Sequence, residues 1–130
     1  VVGSIGKEAG YIPYTCYSAT QDYIEKDEDT VQKFTNAIYR SMLWVQSHSV
    51  EEIAKAVKPQ FPDTDDEVLI ALITRYKEQD TWKPDLLLTE EGLNHMMDIM
   101  EIAGELEERA DYNKIVTDKF AENAMKEITK

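Results

Sequence analysis

Cys16, His48 and His95 are the residues of this 130-residue chain best suited to nucleophilic or proton-transfer chemistry. A nucleophilic thiol needs a base within hydrogen-bond reach. Cys16 lies in the run Tyr14-Thr15-Cys16-Tyr17, whereas the two histidines fall on separate helical stretches, and no spacing brings either ring to the sulfur. Cys16 therefore reads as a buried structural cysteine, and no catalytic residue is assigned. The run Asp63-x-Asp65-Asp66-Glu67 invites a calcium loop, but an EF-hand beginning at Asp63 would need glycine where Val68 stands and glutamate where Thr74 stands. These carboxylates are better explained by a helix N-terminus, whose dipole favours negative charge. His95 and Asp98 share a helical spacing, yet two ligands do not make a metal site. No metal and no cofactor are expected. Tyr14, Thr15 and Tyr17 combine aromatic walls with a few polar groups, which suits a small organic ligand. The competing reading packs these tyrosines under helices with their hydroxyls satisfied locally.

The elements that must position these residues follow from periodicity. Tyr11 to Tyr17 is rich in aromatic and β-branched residues and reads as a strand, with Pro13 placing it at an edge or strand start. From Ser18 onward the pattern is helical. A short helix near Gln21 to Lys26 would bury Tyr23 and Ile24, and a longer one from Glu28 to Ser47 carries Val31, Phe34, Ile38, Met42 and Val45 on one face. Ser49-x-x-Glu52 is a capping box opening a helix that ends near Val57, before Pro59 and Pro62. Thr64-x-x-Glu67 repeats the signature ahead of Val68, Leu69, Leu72, Ile73 and Tyr76. Gln79 to Leu88 reads as a loop. Thr89 caps a helix with Leu93, Met96, Met97 and Met100, closed by Gly104. Thr117 opens a last helix that turns Phe120, Ala121, Ala124 and Ile128 inward.

Composition narrows the function classes. Hydrophobic residues make up 42% and charged residues 31%, enough apolar content for a packed core. The formal net charge of -12 opposes binding to phosphate backbones or anionic lipid, which requires clustered Lys and Arg. No nucleic-acid partner is expected. One cysteine rules out an internal disulfide framework.

A lone strand cannot satisfy its own amides and carbonyls. Its partner is expected outside the chain, in a second copy, or in a weak strand near Val1 to Ile5. Together with a start at Val1-Val2-Gly3-Ser4 that carries no leader, this suggests a segment of a longer polypeptide.

Gly10-Tyr-Ile-Pro-Tyr-Thr-Cys-Tyr17 followed by Asp22-Tyr-Ile-Glu-Lys26 resembles the return strand and following helix of solute-binding proteins of the nitrate/sulfonate/taurine and thiamine-precursor types. Val31-Gln-Lys-Phe34, Ala37 to Val45, Ser47 to Ala54, Phe61 to Asp65, Tyr76 to Trp82, Thr89 to Leu93 and Tyr112 to Ala124 are similar to that family's later segments, in the same order. The resemblance covers roughly residues 10–126 and rests on order and spacing. It implies a mainly α chain with one or two short N-terminal strands, a fragment of a two-lobed α/β periplasmic-binding-protein-like fold. Residues 1–17 would be the return-strand region and residues 18–130 the helical C-terminal part of a lobe, together a single domain or fragment. It is this resemblance that makes Tyr14, Thr15 and Tyr17 ligand-binding candidates.

The same resemblance implies an extracellular or periplasmic protein, anchored or secreted, that captures an oxyanion, sulfonate or pyrimidine-like solute and delivers it to an ABC transporter permease. Its partners would be the solute, the permease, a missing N-terminal lobe of the same protein, and a second copy if the fragment dimerises. No enzyme activity is expected. The other reading is an all-helical protein-interaction or regulatory domain with no ligand.

Overall fold

The computed structural model describes residues 8–129. Its helices are α1 (Gln21–Lys26), α2 (Glu28–Ser47), α3 (Val50–Val57), α4 (Asp66–Glu78), α5 (Glu90–Ile102), α6 (Tyr112–Ile115) and α7 (Lys119–Ile128), with a 3₁₀ turn at Lys58–Gln60. Their boundaries follow from local chemistry. Asp27 ends α1 and starts α2, its carboxylate accepting from the Thr30 amide at 3.2 Å. Ser49 and Glu52 form the expected capping box, each side chain accepting from the other's backbone amide. Thr89 accepts from the Gly92 amide at 3.1 Å to open α5. At the other end of α5, Gly104 takes φ +75° and donates to Glu101 while Glu105 donates to Met100. That pair of bonds is a Schellman closure, which needs a residue able to turn left-handed.

Two helix pairs hold most of the packing. Along α2 and α7, Phe120, Ala121, Ala124 and Tyr39 are buried, and the alanines let the backbones approach closely. Gln32 stitches the seam, donating to the Phe120 carbonyl at 3.0 Å and accepting from Asn123 at 3.2 Å. Tyr39 and Thr129 share a hydroxyl bond at 3.1 Å at the far end. Between α3 and α4, Ile53, Ala54, Leu69 and Ile73 form a small core backed by Val45, Val50, Val57, Ile70 and Trp82. Each fully buried aliphatic side chain stabilises by about 1.5–3 kcal/mol relative to exposure.

The fold class expected from sequence is overturned. The described residues are helices and connecting segments, with no strand and no sheet, so a lobe of a two-lobed α/β structure with N-terminal strands is not what this chain forms. Tyr11 to Tyr17 has strand composition but lies as irregular chain. The reason is the missing ladder: Pro13 has no amide to give, and no second extended segment runs beside it among the described residues. The weak strand expected near Val1 to Ile5 lies outside the described residues.

Smaller corrections concern which side of a helix is covered and where two helices begin. Tyr23 is exposed and Ile24 only half-buried. On α2 the buried residue is Tyr39, while Phe34 stays 44% exposed, because α7 lies against the Gln32 and Tyr39 side. Asp65, not Thr64, precedes α4, and it makes no side-chain cap bond. The last helix starts two residues after Thr117, behind Asp118.

Candidate ligand-contacting surface

The candidates Tyr14, Thr15 and Tyr17 are carried on the segment between Gly10 and Thr20. Gly10 turns with φ +73°, a conformation that glycine adopts at low cost. The segment is anchored at its root. His95 Nε2 lies 2.9 Å from the Ala9 carbonyl, the Tyr11 ring lies over Gly92 of α5, and Lys83 Nζ sits 4.3 Å from the centre of that ring. Beyond the root the chain projects. Tyr14 is 95% exposed and Tyr17 73% exposed, with Thr15 and Cys16 exposed between them. Tyr17 is steadied by an edge-to-face contact with Phe34 of α2, ring centres 4.8 Å apart. Tyr14 has no ring or hydrogen-bond partner among the described residues. The structure presents all three candidates together on one exposed arm, with Tyr17 touching a helix through Phe34. Cys16 is exposed, so the expectation of a buried structural cysteine fails.

The sequence reading missed Phe34 as the partner of Tyr17, because helical spacing had assigned it to the buried face. It also missed the Trp44–His48 pair, whose rings stack 4.1 Å apart while His48 Nδ1 lies 2.7 Å from the Trp44 carbonyl. Their four-residue separation on a helix end was the available signal.

A second surface is acidic. Glu90, Glu91, Asn94, His95 and Asp98 line an open depression of about 540 Å³ on α5. Arg109 holds its far side, donating to Asp98 at 2.7 Å, Glu101 at 2.8 Å and the Asn94 carbonyl at 3.1 Å. The Asp98 bond first, and Glu101 with it, holds the guanidinium pKa above its usual value. No group of three or more His, Cys, Asp or Glu that could hold a metal occurs among the described residues. The Asp63 to Glu67 run behaves as helix-start charge: Asp66 pairs with Lys58 at 2.8 Å, and Lys58 also donates to the Thr64 carbonyl. Tyr112 ties the loop before α5 to the loop before α7, donating to the Leu88 carbonyl at 2.7 Å and to Asp118 at 3.1 Å. Partial burial, then the neighbouring carboxylate, pushes its pKa up.

Arm, depression and helix pairs define an acidic helical module that displays an aromatic segment. The chain is 42% identical over 127 residues to a Bacillus subtilis (strain 168) protein named "Putative binding protein YtlA". That match takes in 98% of this chain but only 38% of the relative, so the chain spans well under half the length of the protein it matches. No family model matches, and no solved structure matches. No helix among the described residues is long and apolar enough to cross a membrane.

Proposed function

We propose that this chain is the helical part of an extracellular solute-binding protein, of the type serving nitrate, sulfonate, taurine or thiamine-precursor uptake, that delivers its ligand to an ABC transporter permease. The observation that carries the reading is the match, along nearly the whole chain, to a longer protein whose name describes binding. The exposed arm supports it. Tyr14 and Tyr17 offer flat apolar faces with a hydroxyl at the tip, and Thr15 adds a donor and acceptor between them. On this reading the arm forms one wall of a site whose other wall comes from the rest of the longer polypeptide. The solute is a small oxyanion, sulfonate or pyrimidine-like molecule, and the protein does no bond chemistry.

The test is a thermal-shift screen of the longer polypeptide against nitrate, alkylsulfonates, taurine and aminopyrimidines. A saturable rise in melting temperature with one of these classes supports solute capture, since a ligand that binds only the folded state stabilises it by mass action. A flat response to every class, with the protein folded, removes the solute reading. The all-helical structure favours a second reading, a module that docks a protein and takes no solute. That reading predicts the flat response.

A further inference from the structure

The apolar surface of α4 is wider than its neighbours α3, Val45 and Trp82 cover. Leu69 and Ile73 are buried against α3, 5% exposed each. Val68, Leu72 and Tyr76, one helical turn apart in succession, stay 50%, 44% and 43% exposed. At about 100° per residue these three fall within about 80° of one another, immediately beside the buried pair. The apolar arc therefore continues around the helix past the edge of the α3 contact, where a surface helix normally turns polar. Tyr76 is held in place from one side by Trp82, ring centres 5.6 Å apart, so the stripe is a formed surface.

We propose that this outer stripe of α4 is an intramolecular interface, seating the part of the longer polypeptide that lies outside these 130 residues. The inference rests on the reading of the chain as part of a longer binding protein, but not on which solute that protein takes. Two observations choose this occupant. The matched region is 38% of the relative, which leaves 62% of that protein's length to pack somewhere. The accessible surface is 9976 Å², against about 7,000 Å² expected for a compact monomer of 15.0 kDa. That surplus belongs to the whole chain, the projecting arm included, and is large enough to contain an ordinary interface between domains of one chain, about 600–1,500 Å².

A second copy is the weaker occupant. Each chain carries -12, so two copies approach against their like net charge. The stripe itself ends in Asp66 and Glu67 on one side and in Arg75, Lys77 and Glu78 on the other, so local charge alone does not bar a pair. A covalently continuous segment also meets the stripe at high effective concentration, so it needs little intrinsic affinity.

The experiment is maleimide labelling of the longer polypeptide with Cys16 replaced by serine, comparing Leu72→Cys and Val68→Cys with Lys55→Cys on the exposed side of α3. Circular dichroism confirms that each variant is folded, and Val68→Cys replaces Leu72→Cys if the latter is not. The interface predicts labelling on α4 about tenfold or more slower than at Lys55, independent of protein concentration. Equal rates in folded protein overturn it. Protection that disappears on dilution also overturns it, in favour of a dimer. Protection in a protein that answers no solute leaves the interface standing and removes the solute reading, so the two failures are distinguishable.

Discussion

Lys77 Nζ lies 2.7 Å from the carbonyl oxygen of His48 and 3.2 Å from that of Val45. One ammonium on α4 thereby satisfies two carbonyls at the end of α2 that have no intrahelical amide to accept. It joins the α2–α7 pair to the α3–α4 core, at the point where the chain turns from one to the other.

Lys77→Met keeps most of the aliphatic stem and removes both bonds. The expected loss is about 2 kcal/mol, because bonds to charged groups contribute more than neutral ones and the carbonyls are left partly shielded from water. Urea denaturation checks this, with a lowered midpoint and an unchanged slope.

The capping box at α3 gives a pH signature. The Ser49 amide, donating to Glu52, is the main cause holding the Glu52 pKa below its usual 4.5. A carboxylate whose pKa is lower in the folded state binds protons more readily in the unfolded chain. Its contribution is complete above about pH 4.5 and is lost as pH falls through the folded value. Glu52→Gln should flatten that part of the stability profile, and Ser49→Ala should cost about 1 kcal/mol at neutral pH. Denaturation midpoints measured from pH 3 to pH 7 read both.

Gly92 is the seat of the arm. A Cβ there would stand 2.5 Å from Cε1 of Tyr11 and 3.1 Å from the Thr89 hydroxyl that caps α5. Gly92→Ala should expel the Tyr11 ring and break its contact with Lys83, while alanine returns about 0.5–1 kcal/mol of helix propensity. Overall stability should change little. Chymotrypsin cleavage at Tyr11, Tyr14 or Tyr17 should become severalfold faster, which limited proteolysis measures directly.

Arg109 gathers Asp98, Glu101 and the Asn94 carbonyl from an exposed position. Arg109→Lys supplies a point charge in place of a planar fork and cannot reach all three. Hydrogen exchange should rise between Ala103 and Asp111, and the difference from the parent should shrink at high salt, which screens exposed pairs.

The Asp27 cap that fixes the start of helix α2 was not legible in the sequence, whereas the helix's extent was, from its apolar period between Val31 and Val45. The box at Ser49 and the left-handed close at Gly104 were equally readable, being local chemistry. Which side of a helix is covered was not legible. Phe34 and Tyr39 both lie on α2, and only the position of α7 decides that Tyr39 is buried while Phe34 meets Tyr17. The strand reading of Tyr11 to Tyr17 failed for a related reason. Residue types state a preference for extended chain, but a strand exists only where a second one supplies its hydrogen bonds. Tyr14, Thr15 and Tyr17 lie together on this irregular, exposed segment because they are neighbours in sequence.

Isothermal titration of the longer polypeptide with the solute that shifts its melting temperature, before and after Tyr14→Ala, tests the central claim most directly. Tyr14 is 95% exposed, so its truncation leaves the folding of these helices intact and reports on contact alone. The account predicts saturable binding that Tyr14→Ala weakens about tenfold or more, the loss expected of an aromatic anchor. Binding unchanged by Tyr14→Ala would contradict the arm as a wall of the site, and no saturable binding of any solute class would contradict solute capture itself.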